Sequence, residues 1–71
     1  MTDPVTAHVA ERIRSRRLEL GISQGKLGAA YGVSFQQEGK HETGANRVLA
    51  SQLWLIAQAL DVPIDYFFEG L

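Results

Sequence analysis

Apolar residues along this chain recur at helical rather than strand spacing. Val9, Ile13 and Leu20, with Arg17 among them, follow at intervals of four, four and three, which places them on one face of a helix. The pattern starts this helix at His8, leaves residues 1–7 as a short flexible polar tail, and stops at Gly21. Ser23 is a natural N-cap for a second, short helix over 24–31, with Leu27, Ala30 and Tyr31 inward. Gly25 and Gly28 each weaken it by up to about 1 kcal/mol. Gly32 ends it, Val33 turns inward, and Ser34 caps a third segment over 35–42. Residues 43–47 read as a loop. The strongest helix covers 49–60, with Leu49, Leu53, Ile56, Ala57 and Leu60 at helical spacing. Asp61 tolerates a left-handed cap, and Pro63 opens a last short helix holding Ile64, Tyr66, Phe67 and Phe68. No segment alternates with period two and no repeat appears. The expected fold class is all-α, a compact bundle of five helices.

Composition narrows what such a bundle does. A chain of 71 residues is one small domain, 8–71, rarely able to enclose a deep catalytic cleft. Hydrophobic residues make 45% and charged residues 21%, the balance of a folded chain. Without cysteine there is no disulfide framework and no thiolate zinc site. No apolar run approaches the roughly 18–20 residues of a membrane span, and no leader pattern is visible, so a cytoplasmic protein is expected. The net charge is −1, but all seven cations (Arg12, Arg14, Arg16, Arg17, Lys26, Lys40, Arg47) fall between residues 12 and 47, a window of charge +4 between acidic ends. That asymmetry suits a polyanionic partner, or a solvated Arg-rich first helix. No nucleophile elbow and no glycine-rich phosphate loop is present, and an enzyme is not expected. Glu38, His41 and Glu42 lack a fourth ligand, so neither metal nor other cofactor is expected. His8 is expected to be solvated.

The two short helices joined through Gly32-Val33-Ser34 form the element that can carry function. Gly32 can take the positive φ of a chain reversal, and Gly28 lets the third helix approach the second closely. Leu27 and Val33 wedge between them. With Gly21-Ile22-Ser23-Gln24, Leu27-Gly28, Glu42-Thr43-Gly44 and the stretch from Leu53 through Phe68, the sequence resembles the lambda-repressor/Cro-like (XRE-like) helix-turn-helix family of bacterial and phage regulators, from about Ile13 to Leu71. The resemblance implies a sequence-specific, double-stranded DNA-binding transcriptional regulator, a homodimer on a two-fold operator, associated with the nucleoid of a bacterium or phage host. It implies a recognition helix over 35–42, with Phe35, Gln36 and Lys40 at base-reading positions. Gln24 would bind a backbone phosphate, Gln37 a sugar or phosphate, and Asn46 and Arg47 the phosphate backbone. Arg17, on the apolar stripe, would pair with Glu42; a buried guanidinium needs such a partner, and the alternative is an Arg that reaches water.

Glu38 and His41 depart from this pattern, because they occupy positions where the family places apolar side chains, and Gly39 between them weakens the helix. Three readings stay open: Glu38 and His41 pair while partly buried, with Glu38 protonated; the third helix is rotated or frayed; or the recognition element has been altered in a natural or engineered variant. The last two favour an interaction or dimerisation module, or an antitoxin needing a protein partner, on the same fold. Trp54, Leu55 and the C-terminal aromatics exceed what one small core can bury and offer a dimer surface.

Overall fold

The computed structural model describes residues 3–71, and among them every regular element is helical. Helix α1 spans Pro4–Glu19, α2 Gln24–Ala30, α3 Phe35–Thr43 and α4 Ala50–Ala59. The expected fifth helix is a short 3-10 helix over Ile64–Phe68, so the bundle has four α-helices rather than five. Five residues between Pro63 and the extended Glu69 are too few to sustain an α-helical ladder, and such pieces tighten to i→i+3 bonding. Here the Tyr66 N–H donates to Pro63 O at 3.0 Å.

Helix α1 begins at Pro4, not at His8. The Asp3 carboxylate accepts from the Thr6 N–H at 2.9 Å and from its hydroxyl at 2.7 Å. Pro4 sits in the first turn, where a missing N–H costs nothing. Residues 4–7 are therefore helix rather than tail; Met1 and Thr2, the start of the expected tail, lie outside the described residues. His8 is half-buried, and its Nε2 lies 2.6 Å from the Glu69 carbonyl.

Ile13, Leu27, Ile56, Leu60 and Phe67 have no exposed surface and form the centre of the core. Val9, Tyr31, Leu53 and Ala57 complete it. Leu49 and Ala30, expected inward, are exposed. Leu49 is the N-cap of α4 with extended backbone, one residue too early to share the helix face, and the Gln52 side chain accepts its N–H at 2.9 Å.

The α2–α3 turn follows from two glycines. Gly32 has φ +81°, open to glycine at no steric cost. At Gly28 an added Cβ would lie 2.8 Å from the Val33 carbonyl oxygen and 3.2 Å from that of Ser34, both backbone atoms. Gly28→Ala therefore must push the turn apart, at a cost of about 2–3 kcal/mol. At Gly25 the nearest atom would be 3.7 Å away, so Gly25→Ala keeps only the gain in helix propensity, about 0.5–1 kcal/mol. Urea melts of the two variants are expected to shift in opposite directions; a neutral Gly28→Ala would mean that α2 and α3 are not this close.

Candidate nucleic-acid interface

Helix α3 is intact from Phe35 to Thr43. Ser34 caps its N-terminus by accepting the Gln37 N–H at 3.1 Å, and Gly44 closes it at φ +78°. Phe35, Gln36 and Lys40 are all exposed, and the i, i+4 spacing of Gln36 and Lys40 puts them on one face. Phe35 is 57% exposed although apolar. Gln24, the first residue of α2, lies over Gly39: a Cβ there would approach the Gln24 amide at 3.8 Å. A Cβ at that distance is in ordinary van der Waals contact, so Gly39 is not required by the Gln24 side chain. Asn46, in the loop after α3, donates from Nδ2 to Gln37 Oε1 at 3.4 Å, which brings these two expected phosphate contacts together. Arg47 is separate, its side chain 80% exposed and 3.3 Å from Asp3.

The basic middle of the sequence does not survive as one basic face. Arg12 pairs with Glu69 at 3.0 Å and stacks on the Tyr66 ring at 3.8 Å. Arg16 donates to the Leu60 carbonyl at 2.9 Å and pairs with Glu19 at 2.7 Å. Arg12 thus holds α1 to the C-terminal segment, and Arg16 holds it to the end of α4. Arg17 turns inward, and its Nε and Nη2 donate to the two oxygens of Glu42 at 2.7 and 2.9 Å. Its Nη1 donates to the Ile22 carbonyl at 2.8 Å, so α1 is bolted to the end of α3 and to the start of the helix-turn-helix. Among the described residues, Arg14, Lys26 and Lys40 make no ion pair.

Glu38 and His41 are both buried on the inner side of α3, so this helix is neither frayed nor turned outward. They meet through Tyr31. Its hydroxyl donates to Glu38 Oε1, and lies 2.8 Å from His41 Nδ1; the two rings stack at 21°. Burial pushes the Glu38 carboxyl up to about 8, and the adjacent Glu42 carboxylate raises it further than Tyr31 and Arg17 lower it. Glu38 is therefore the neutral acid at pH 7. Its Oε2 receives no hydrogen bond. The neighbouring Glu42 carboxylate favours the protonated acid and is the acceptor within its reach. Burial also raises Glu42, but hydrogen bonds from Glu38, Arg17 and Gln24 outweigh it and hold Glu42 below the usual carboxylate range. Burial lowers His41, which favours the neutral imidazole.

The polar role of Tyr31 was hidden in the sequence, where it reads as one more inward aromatic; the signal was the pair of polar residues at inward positions, which needed a donor between them. The signal for the Asp3 cap is the Asp-Pro step, which lies ahead of the periodic apolar face of α1. A shallow, mostly apolar cavity of about 280 Å³ lies beside the site, with His41, Asn46 and Arg47 in its lining. No group of side chains suited to hold a metal is present among the described residues. No helix there is long and apolar enough to cross a membrane.

This arrangement of two short capped helices, the second presenting its N-terminal face, defines a helix-turn-helix domain. A Helix-turn-helix family model matches residues 13–67, and the chain belongs to that family, in its lambda-repressor-like branch. A helix-turn-helix-type transcriptional regulator of Sinorhizobium medicae is 54% identical over 67 residues, covering 94% of this chain and 48% of its own. A transcriptional regulator from the ATPase CF(0) region of Rhodospirillum rubrum is 55% identical over 67 residues, 94% of this chain and 62% of its own. The chain thus spans about half the length of the curated relatives it matches. The P22 c2 repressor, solved in complex with a synthetic operator, superposes with a TM-score of 0.79 at 33% identity, over 89% of this chain and 96% of that one. The restriction-modification controller protein C.AhdI of Aeromonas hydrophila superposes with a TM-score of 0.83 at 27% identity, with the same coverage.

Proposed function

We propose that this domain binds double-stranded DNA in a sequence-specific way as a homodimer on a two-fold operator, acting as a transcriptional regulator in the bacterial cytoplasm. The observation that carries this reading is the seating of α3. Its inner side is fixed to α1 and α2 by the buried network of Arg17, Glu42, Glu38 and Tyr31, while Phe35, Gln36 and Lys40 stand free on its outer face. A rigid helix with an amide, an ammonium and an aromatic on its exposed first turns suits the major groove. Gln pairs bidentately with adenine, Lys donates to guanine O6 and N7, and an aromatic ring contacts the thymine methyl. Gln24, Gln37, Asn46 and Arg47 then hold the phosphate backbone. The exposed pair Asp3–Arg47 opens at little cost, which frees Arg47 for phosphate. Trp54, Leu55 and Leu71 are exposed on and after α4 and supply an apolar, self-complementary patch for the second protomer.

Kd for duplex DNA is expected to rise about tenfold or more between roughly 50 and 200 mM salt. Arg47→Ala weakens every sequence alike, and Lys40→Ala or Gln36→Ala relaxes preference at one or two base pairs by about 1–3 kcal/mol. Fluorescence anisotropy on labelled duplexes measures both effects. A wild-type protein that binds no duplex at low salt would overturn the reading in favour of a protein-interaction module.

A further inference from the structure

The hydrogen bonds of the buried network all run in one direction, set by the two groups at its ends. At the outer end Asn46 Nδ2 donates to Gln37 Oε1 at 3.4 Å. That turns the Gln37 amide nitrogen toward His41 Nε2, 3.1 Å away. An amide nitrogen only donates, so with the amides in this orientation Nε2 is the bare acceptor and the imidazole proton belongs on Nδ1. Nδ1–H then donates to Tyr31 Oη at 2.8 Å, the Tyr31 hydroxyl donates to Glu38 Oε1, and Glu38 as the acid donates to Glu42. At the inner end Glu42 only accepts, from Glu38, Arg17 and Gln24, the last at 3.3 Å. One further proton on His41 would break this sense. An imidazolium Nε2–H needs an acceptor, Gln37 must turn its oxygen inward, and its NH₂ then faces the NH₂ of Asn46.

We propose that His41, backed by Tyr31 and Glu38, is a positioning residue for DNA: as the neutral Nδ1–H imidazole it fixes the Gln37 and Asn46 amides so that each keeps one N–H for a phosphate oxygen. The inference rests on the DNA-binding reading and adds to it three buried residues that touch no DNA. It also explains why polar side chains stand at two inward positions of α3, where apolar ones would pack more simply. Titratable or charged groups around His41 are Tyr31 from the end of α2, Glu38 and Glu42 from α3 itself, and Arg47 across the cavity from the α3–α4 loop. Arg17 of α1 stands behind Glu42, while α1, α4 and the C-terminal segment line the cavity beside His41 with uncharged side chains only. Burial holds His41 below the ordinary imidazole range, so it takes up its proton only on the acid side, after Glu38 has completed its own protonation near neutrality.

The test uses the 71-residue chain and a mixed-sequence duplex of about 30 base pairs at low salt, where phosphate contacts dominate. His41→Leu is expected to stay folded and to bind about tenfold more weakly, because both amides lose their lock. His41→Gln returns an acceptor oxygen near the place of Nε2 and is expected to bind within about twofold of wild type. The wild-type Kd rises as pH falls below the ordinary imidazole range, and that rise is absent in both variants. Imidazole ¹⁵N NMR of the free wild type at about pH 7.5 is expected to show the Nδ1–H form. A protonated Nε2 there, or a His41→Leu protein with wild-type affinity and pH profile, would overturn the proposal while leaving the DNA reading intact. Failure of the wild type to bind the duplex would overturn both, whatever the tautomer.

Discussion

Glu38→Gln is expected to be more stable than wild type by about 3–4 kcal/mol near pH 7.5, with the difference vanishing below about pH 4.5. The folded protein holds the Glu38 carboxyl at about 8, above its ordinary value of 4.5, because burial disfavours the charge. Between these two values the unfolded chain has lost a proton that the folded chain keeps. Stability is therefore complete below the unfolded pKa and declines as pH rises toward the folded one, by up to about 1.4 kcal/mol per pH unit. Gln at this position keeps an oxygen for the Tyr31 hydroxyl and an N–H for Glu42, without a titrating proton. His41 contributes with the opposite sign: its lowered pKa gives stability that is present above the ordinary imidazole value and lost as pH falls through it. The comparison with Glu38→Gln cancels that term. Urea melts at the two pH values check it, and equal midpoints near pH 7.5 would mean that Glu38 is solvated and α3 is seated differently.

Arg17→Met has the larger effect in the other direction. Arg17 makes three hydrogen bonds, two of them to a carboxylate with no side-chain exposure. Removing the guanidinium leaves Glu42 buried with only Gln24 and Glu38 to bond it, a loss of about 3–5 kcal/mol. A domain of this size has about 4–10 kcal/mol in total, so the melting temperature should drop by about 15–25 °C. The double variant Arg17→Met/Glu42→Met removes both charges and should recover most of the loss. Calorimetry of the three proteins decides. A single variant within about 1 kcal/mol of wild type would show that Arg17 reaches water instead.

What could be read in advance follows the strength of the local signals. The α2–α3 turn was legible because Gly32, Gly28 and Ser34 each answer a distinct steric or capping demand; a charged residue on an apolar stripe signalled that Arg17 needs a carboxylate, and the family resemblance named Glu42 as the one. The start of α1 was misplaced because its periodic apolar face begins at Val9, while the cap and proline that open it lie outside that face. The 3-10 form of the last helix was not legible, since α and 3-10 turns of five residues place the same side chains inward. The basic window misled in one respect. Sequence position says where cations lie along the chain, and only the packing of α1 on Tyr66, Glu69 and Leu60 shows that Arg12 and Arg16 are bonded within the fold. Glu38 and His41 were visible as misfits, but the bridge between them comes from Tyr31 on another element.

Selection of binding sites from a random duplex library with the purified chain tests the central claim most directly. The account predicts enrichment of a two-fold symmetric sequence, its half-sites about one helical turn apart, with the preferred bases shifting in the Gln36→Ala and Lys40→Ala proteins. A library that emerges unenriched, or an enriched site indifferent to Gln36 and Lys40, would contradict it.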